Sequence, residues 1–463
     1  MTGTTPTKFV RANVAAQAAG TPKVSPQIAW SDAGLPKLAQ HMFSLMLRNL
    51  TSDGFLFVDP NHPDPKDPQS FSLPGCIIAA PSSPANTPGV DQDYVYNWTR
   101  DAAITVIEIA AAKLPAAPGT GVQSLIDYVN FAQTCQNNAT PSLALASYTI
   151  QGLSRQWTEQ TDGPALQILA ILMAYDQLDT PTQAVAVAVI NKNLDYLLGA
   201  YQDQTFNLWE EHKGFSFFAR SVQLRCFQAI KGNTIGIPVP PGTDAAITWL
   251  QTALPQHWNS TLYVSLLPAP PGYDANIDIV SACIYGAVPC TDTKLLATAA
   301  QIRDQWENSN SPDHYPINVS DRNSQGIGPL LGRYPGDVYD GDVNDPSAGD
   351  HPWALCTCNL AELYYTLANQ IRNTQAVPLD QFSTTFFSQI GVTSASPVAD
   401  VVTKLQDAGD AMLAAVIYHS DHLELSEQFD GVTGYEKSVK NLTWSYAAFL
   451  SAVRARTGQT VQG

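Results

Sequence analysis

The sequence predicts an all-α protein, and three observations predict it. Apolar residues recur at helical spacing in about a dozen segments between residues 35 and 455. No Ser/Thr-rich linker divides the chain, and no repeat of 20–50 residues marks it as a solenoid. The stretches between the helical segments are long and rich in Pro, Gly, Asp and aromatics, as functional loops are. A toroid of paired helices, with its loops gathered into a pocket at one end, satisfies all three.

Taken in order, residues 1–25 are polar and rich in Thr, Ala and Pro, and read as a loose lead-in. Leu38, Met42, Leu45 and Met46 give a helix within 35–50, stopped by Thr51-Ser52-Asp53-Gly54. Residues 54–99 read as a structured loop region with short β-like pieces such as Cys76-Ile77-Ile78. Helical patterns follow over 101–113, 121–136, 164–178, 182–198, 215–231, 243–254, 275–287, 293–306, 353–370, 379–390, 399–418 and 442–455. In the fourth of these, Thr180-Pro181 opens the helix and Gly199 is expected to close it. Its stripe is Ala186, Val189, Ile190, Leu194, Leu197 and Leu198.

Composition excludes several partners. With 44% hydrophobic and 14% charged residues the chain has ample material for a core and no run of membrane-span length. A net charge of −17, from 24 basic and 41 acidic residues, disfavours nucleic acid and anionic membrane. Met1 to Gln27 holds no apolar signal segment. The seven cysteines are scattered, and Cys356-x-Cys358 has no partner pair at zinc spacing. Buried thiols are the default reading, with a small Cys283–Cys290 loop left open.

Two acidic stretches carry the chemistry. Asn207-Leu208-Trp209-Glu210-Glu211-His212 sets two carboxylates behind an indole. A tryptophan face suits the apolar face of a sugar, and carboxylates suit its hydroxyls. A carboxyl dehydrated against an indole is also kept protonated, as a general acid must be. The bland alternative is a solvated helix end. Leu425-Ser426-Glu427-Gln428-Phe429-Asp430 lies far along the chain, on an expected loop before Asn441-Leu442-Thr443-Trp444. Glycoside cleavage with inversion needs two carboxyls about 6.5–9.5 Å apart, one to protonate the leaving oxygen and one to activate water. Glu210 and Glu427 supply such a pair if the fold unites them. Arg100-Asp101, after Asp93-Tyr94-Val95-Tyr96-Asn97-Trp98, suits paired grip on sugar hydroxyls, or else a helix-capping carboxylate with a local ion pair. Arg333, in Gly332-Arg333-Tyr334-Pro335, suits a hydroxyl or a carboxylate, or else a surface loop.

These stretches, in this order, resemble glycoside hydrolase family 15, the glucoamylases. The matching runs are Gly75–Ser82 with Tyr94–Asp101, Asp162–Leu166, Leu208–Glu211, Ser216–Phe218, Gly332–Pro335, Pro352-Trp353 with Leu355, Ser426–Asp430 and Leu442–Ala448. The resemblance spans roughly residues 74–450. It implies an (α/α)6 barrel and inverting exo-hydrolysis of α-1,4-glucosidic bonds from non-reducing ends, releasing β-glucose. It implies Glu210 as general acid and Glu427 as general base. Arg100, Asp101 and Arg333 would bind the terminal glucose, walled by Tyr94, Trp98, Leu208 and Trp444. Trp209 and Glu211 would face the next sugar, and Trp157 would serve as a lid. No cofactor or metal is implied.

The chain also departs from the family pattern. Trp157-Thr158-Glu159-Gln160-Thr161-Asp162 is one residue shorter than the usual run and lacks its Arg and Pro. A short Gly-Asn-Pro-Trp is replaced by the longer Gly341–Trp353, with Asp340-x-Asp342-x-Asn344 inside it, an incomplete calcium-loop opening. Linkage therefore stays open between α-1,4 and α-1,6 glucans, isomaltose or trehalose. A non-catalytic carbohydrate-binding domain is the rival of another class, and it would have lost a carboxylate. The expectation is one catalytic domain over 1–463, monomeric and secreted, acting on starch and maltooligosaccharides. It has no separate starch-binding module, and hence weak action on granular starch.

Overall fold

The computed structural model of the protein describes residues 34–52, 56–59, 66, 70–81, 93–342 and 349–458. The expected lead-in lies outside them. Along the chain the long helices alternate between two layers. The outer layer is α1 (Leu35–Met46), α3 (Gln123–Asn138), α5 (Thr180–Ala200), α7 (Thr243–Ala253), α9 (Thr293–Glu307) and α13 (Val398–His419). The inner layer is α2 (Thr99–Ala112), α4 (Asp162–Ala174), α6 (Phe217–Lys231), α8 (Asp278–Ile284), α11 (Ala354–Thr374) and α14 (Thr443–Thr457). Each inner helix packs on the next and α14 packs back on α2, which closes a six-membered ring. This is the (α/α)6 barrel.

Sequence decides the layer. Inner helices are buried on every side: Thr99–Val106 in α2 and Thr443–Val453 in α14 are buried without interruption. Outer helices carry one stripe. In α5, Ala186, Val189, Ile190, Leu194 and Leu197 are buried while Leu198 is half-buried. Asp179 caps that helix by accepting from Thr182 N at 2.9 Å. Gly199 does not end it, because the helix runs on to Ala200. The tightest seam is α11 against α13, where Gly409 meets Tyr365. A Cβ there would come within 2.5 Å of the ring, so only glycine permits the approach.

Several expected boundaries move. Lys213–Ser216 is strand β4, so the helix expected from 215 begins at Phe217. The helices expected over 275–287 and 379–390 shorten to α8 and to α12 (Thr384–Gln389). One helix, α10 (Pro316–Ser324), has no apolar period to reveal it. Its buried face is Ile317 with two polar residues, Asn318 and Asp321. Asn318 donates to the carbonyls of Trp306 and Leu330 at 3.0 and 2.9 Å, so tertiary hydrogen bonds replace the missing apolar stripe.

Short antiparallel strands clip the loops at one end of the ring. They pair β1 (Asn97–Trp98) with β2 (Ser147–Tyr148), β3 (Thr205–Phe206) with β4, β4 with β5 (Leu266–Leu267), and β6 (Gln428–Phe429) with β7 (Glu436–Lys437). Further along the inner helices, charged side chains of neighbouring helices meet. Arg454 of α14 donates to Glu108 of α2 at 2.6 Å, and Ser451 donates to Glu362 of α11 at 2.8 Å. Arg225 of α6 lies close enough to act on the charge of Glu362. All seven cysteines are free thiols, Cys283 and Cys290 included.

Candidate active site

All six inner helices start at the same end of the ring, and the connections that enter them carry the polar residues singled out above. A cavity of about 350 Å3 opens there. Tyr94, Trp98, Arg100, Asp101, Trp157, Leu208, Trp209, Glu210, Glu211, Arg333, Glu427 and Trp444 all line it. Positive helix ends face this space, which favours the carboxylates gathered in it.

Glu210 sits in the β3–β4 connection with φ +65°, a left-handed conformation that a glutamate adopts only at a cost of about 1–3 kcal/mol. Turn geometry sustains it: Asn207 accepts through Oδ1 from the N–H of Glu211 and of His212, at 2.9 and 3.1 Å. The Glu210 carboxylate accepts from Trp98 Nε1 at 2.7 Å and from Trp157 Nε1. Arg100 Nη2 stands 3.5 Å from it. The indoles at this carboxyl are therefore not the neighbouring Trp209, and they meet it by N–H donation. Trp209 instead lies against Trp353 and Trp444 and donates to Asn276 Oδ1 at 3.0 Å. Its own hydrogen bond turns it away from Glu210.

Glu427 precedes β6 and is 4% exposed. Tyr94 Oη donates to its two oxygens at 2.9 and 3.0 Å, Tyr339 Oη donates at 3.1 Å, and Ser438 Oγ donates as well. Burial pushes its carboxyl up to about 7, against the pull of these hydroxyls and of Arg333.

Arg100 and Asp101 lie in the first turn of α2, buried, and so are more than a helix cap. Arg100 Nη1 donates to Gln160 Oε1 at 2.9 Å and pairs with Asp162 Oδ2 at 3.4 Å. Its Nε and the Oδ2 of Asp101 are buried and have no hydrogen-bond partner among the described residues. A donor and an acceptor are thus left side by side at the cavity wall. Trp444 backs them, with the Arg100 guanidinium 5.1 Å from its ring centroid.

Arg333 is 3% exposed, not a surface residue. It holds Asp337 through Nε at 2.7 Å and Nη2 at 2.6 Å, and Glu211 through Nη2 at 2.9 Å. Tyr334 and Tyr273 donate to the same Glu211 carboxylate at 2.8 and 3.1 Å. Three protein donors thus orient Glu211, whose side chain keeps 27% exposure in the cavity wall, where the resemblance places the next sugar.

Comparisons with known proteins supply the family. The model of glycosyl hydrolases family 15 matches residues 69–454. The chain belongs to glycosyl hydrolases family 15. A probable glucoamylase of Schizosaccharomyces pombe is 27% identical over 415 residues, covering 83% of this chain and 85% of that protein. The glucoamylase structure from Hormoconis resinae matches with TM-score 0.73 at 25% identity, over 92% of this chain and 73% of that one. That of Hypocrea jecorina matches with TM-score 0.75 at 23% identity, over 92% and 72%.

Three side chains of this family 15 site escaped the sequence reading. Arg155, Tyr339 and Ser438 reach it only because loops distant in sequence converge. Tyr339 and Ser438 lie beside the longer Gly341–Trp353 connection, of which residues 343–348, Asn344 included, fall outside the described residues. The carboxylates of its incomplete calcium motif are otherwise committed. Asp340 pairs with Lys437 at 2.8 Å and His351 at 3.1 Å, and Asp342 accepts from Ser438 N at 3.0 Å. Burial works against the Asp340 charge, yet His351 and Lys437 bring its carboxyl to about 2.

Such a family 15 protein is expected to be more stable in mild acid than above neutrality. Burial raises Asp101 and Asp274 to about 6, and Asp350, Glu362 and Glu427 to about 7. Between pH 4.5 and 7 the folded chain then binds more protons than the unfolded one, so stability falls as pH rises. His257, lowered to about 4 by burial, opposes this with a single group. Asp340 acts only below the window. Thermal melting between pH 4.5 and 8 should show Tm declining; a rise over that range contradicts these shifts.

Proposed function

We propose that this glycoside hydrolase is a glucoamylase-type enzyme, releasing β-glucose from the non-reducing ends of α-1,4-linked glucans with inversion. The observation that carries the reading is one cavity lined by Glu210, Glu427 and the Arg100–Asp101 ion pair, whose Nε and Oδ2 stand 3.6 Å apart without a hydrogen bond. Two carboxyls suit acid and base work, and the ion pair suits a hydroxyl of the terminal glucose, which donates and accepts at once.

In this reading Glu210 is the general acid. Its carboxyl is oriented by the two indole N–H groups, and it protonates the leaving glycosidic oxygen. Glu427 is the general base. Three hydroxyl donors fix its oxygens, and a carboxyl near 7 is a stronger base than an ordinary one once ionised. Arg100 and Asp101 hold the terminal glucose, with Tyr94, Trp98, Leu208 and Trp444 as walls. Arg333 acts through Glu211 and Asp337. Trp157, 55% exposed, sits at the mouth over the leaving side. The elevation of Glu427 favours one specific alternative, in which the two roles are exchanged; substitutions separate the two, as described below.

We place the activity outside the cell, since polymeric glucan does not cross a membrane intact. No helix among the described residues is long and apolar enough to cross one. The deciding experiment is proton NMR of fresh maltotriose with enzyme, read before mutarotation. β-Glucose together with maltose is expected first. Early α-glucose would mean retention and remove the water-activating role from Glu427. Turnover of isomaltose or trehalose alone would move the linkage.

A further inference from the structure

Arg155 belongs to none of the motifs that place the chain in its family. It lies between β2 and α4, two residues before Trp157, just ahead of the stretch where this sequence departs from the family pattern. The fold nevertheless puts it in the wall of the cavity. Its guanidinium carbon lies 4.0 Å from the Tyr96 ring centroid, 4.6 Å from that of Trp157 and 5.3 Å from that of Trp98. Asp93, also in the cavity wall, pairs with Nη2.

Two features of this packing have chemical content. First, Trp98 and Trp157 are the two indoles whose N–H groups donate to Glu210. A cation over an indole is attracted to its face, so one guanidinium sets the positions of both rings. Second, Arg155 Nη1 is buried and has no hydrogen-bond partner among the described residues, although the side chain as a whole keeps 13% exposure. A buried charged donor without an acceptor is costly until something supplies one. A sugar hydroxyl entering the cavity can do so.

We propose that Arg155 is a specificity-determining residue for the leaving side of the scissile bond: it holds Trp98 and Trp157 in place and donates through Nη1 to a hydroxyl of the departing sugar. The side follows from that reading of the site. Arg100 and Asp101 hold the terminal glucose, whereas Arg155 packs on Trp157, which lies at the mouth over the leaving side. The proposal rests on the hydrolase reading given above, with Glu210 as the acid.

The test compares two substrates. Maltotriose has leaving-side sugars and needs a proton donor. α-Glucosyl fluoride has neither a leaving-side sugar nor much need of a proton. Arg155→Ala is expected to lower kcat/KM on maltotriose at least about tenfold, the loss of a charge-assisted hydrogen bond. On the fluoride, whose glucose still meets Trp98, kcat/KM should fall by a clearly smaller factor. Arg155→Lys keeps the charge but not the planar fork, and should recover only part of the maltotriose loss. If Arg155→Ala does not fold, the same ratio is read from Arg155→Lys and from Asp93→Asn, which frees the guanidinium from its carboxylate. An equal fall on both substrates, or no fall on either, overturns the proposal while leaving the hydrolase reading intact. A wild-type protein that turns over neither substrate overturns the hydrolase reading, and the proposal with it.

Discussion

Glu427→Gln is expected to lower kcat on maltotriose and on α-glucosyl fluoride alike by at least about 10²-fold. Glutamine keeps the size of the side chain and can still accept from Tyr94, Tyr339 and Ser438, but it cannot take a proton from water. Both substrates need that water, so both fail. Glu210→Gln should cost maltotriose at least about 10²-fold as well, yet spare the fluoride, whose leaving group departs without a proton. The pair of outcomes assigns the roles. The opposite pattern, with Glu427→Gln sparing the fluoride, would make the buried carboxyl near 7 the acid. A kcat within a few-fold of wild type for either variant would remove that glutamate from the chemistry.

Arg333→Ala is expected to cost about 3–5 kcal/mol of stability. The side chain of Asp337 is fully buried and that of Arg333 is 4% exposed, so removing the guanidinium leaves a carboxylate with no counter-charge in a dry site. It also releases Glu211, and with it the ties to Tyr273 and Tyr334. Arg333→Lys supplies a point charge where a fork spans two carboxylates, and should recover about half of the loss. Denaturant unfolding measures both. An Arg333→Ala protein as stable as wild type would mean that Asp337 and Glu211 find other partners.

Much of the site is readable in the sequence because the chemistry needs rare combinations. Acidic pairs beside tryptophan stand out in a chain with 14% charged residues, and the order of the motifs adds the family. The ring is readable in part. Helices with apolar residues all round alternate with striped ones, but closure depends on α14 meeting α2, which no local pattern encodes. What stays hidden is set by three-dimensional convergence. Tyr339 and Ser438 touch Glu427 across 88 and 11 residues of chain. Trp209 sits next to Glu210 in sequence, yet its indole turns to Asn276 and its carboxylate neighbour is served by Trp98 and Trp157. Adjacency in sequence was a poor guide there because the left-handed turn at Glu210 points successive side chains apart.

The charged side chains that meet beneath the pocket have a consequence for traffic. Glu108 and Glu362 are buried there, with Arg454 across Glu108, so in the proposed reaction a freed glucose lies under the chain it came from. The shortened polymer has to back out before the monosaccharide can follow, and the next attack begins with a new encounter. An enzyme built this way nibbles many ends in turn instead of running along one, and at high glucose its own product competes for the vestibule.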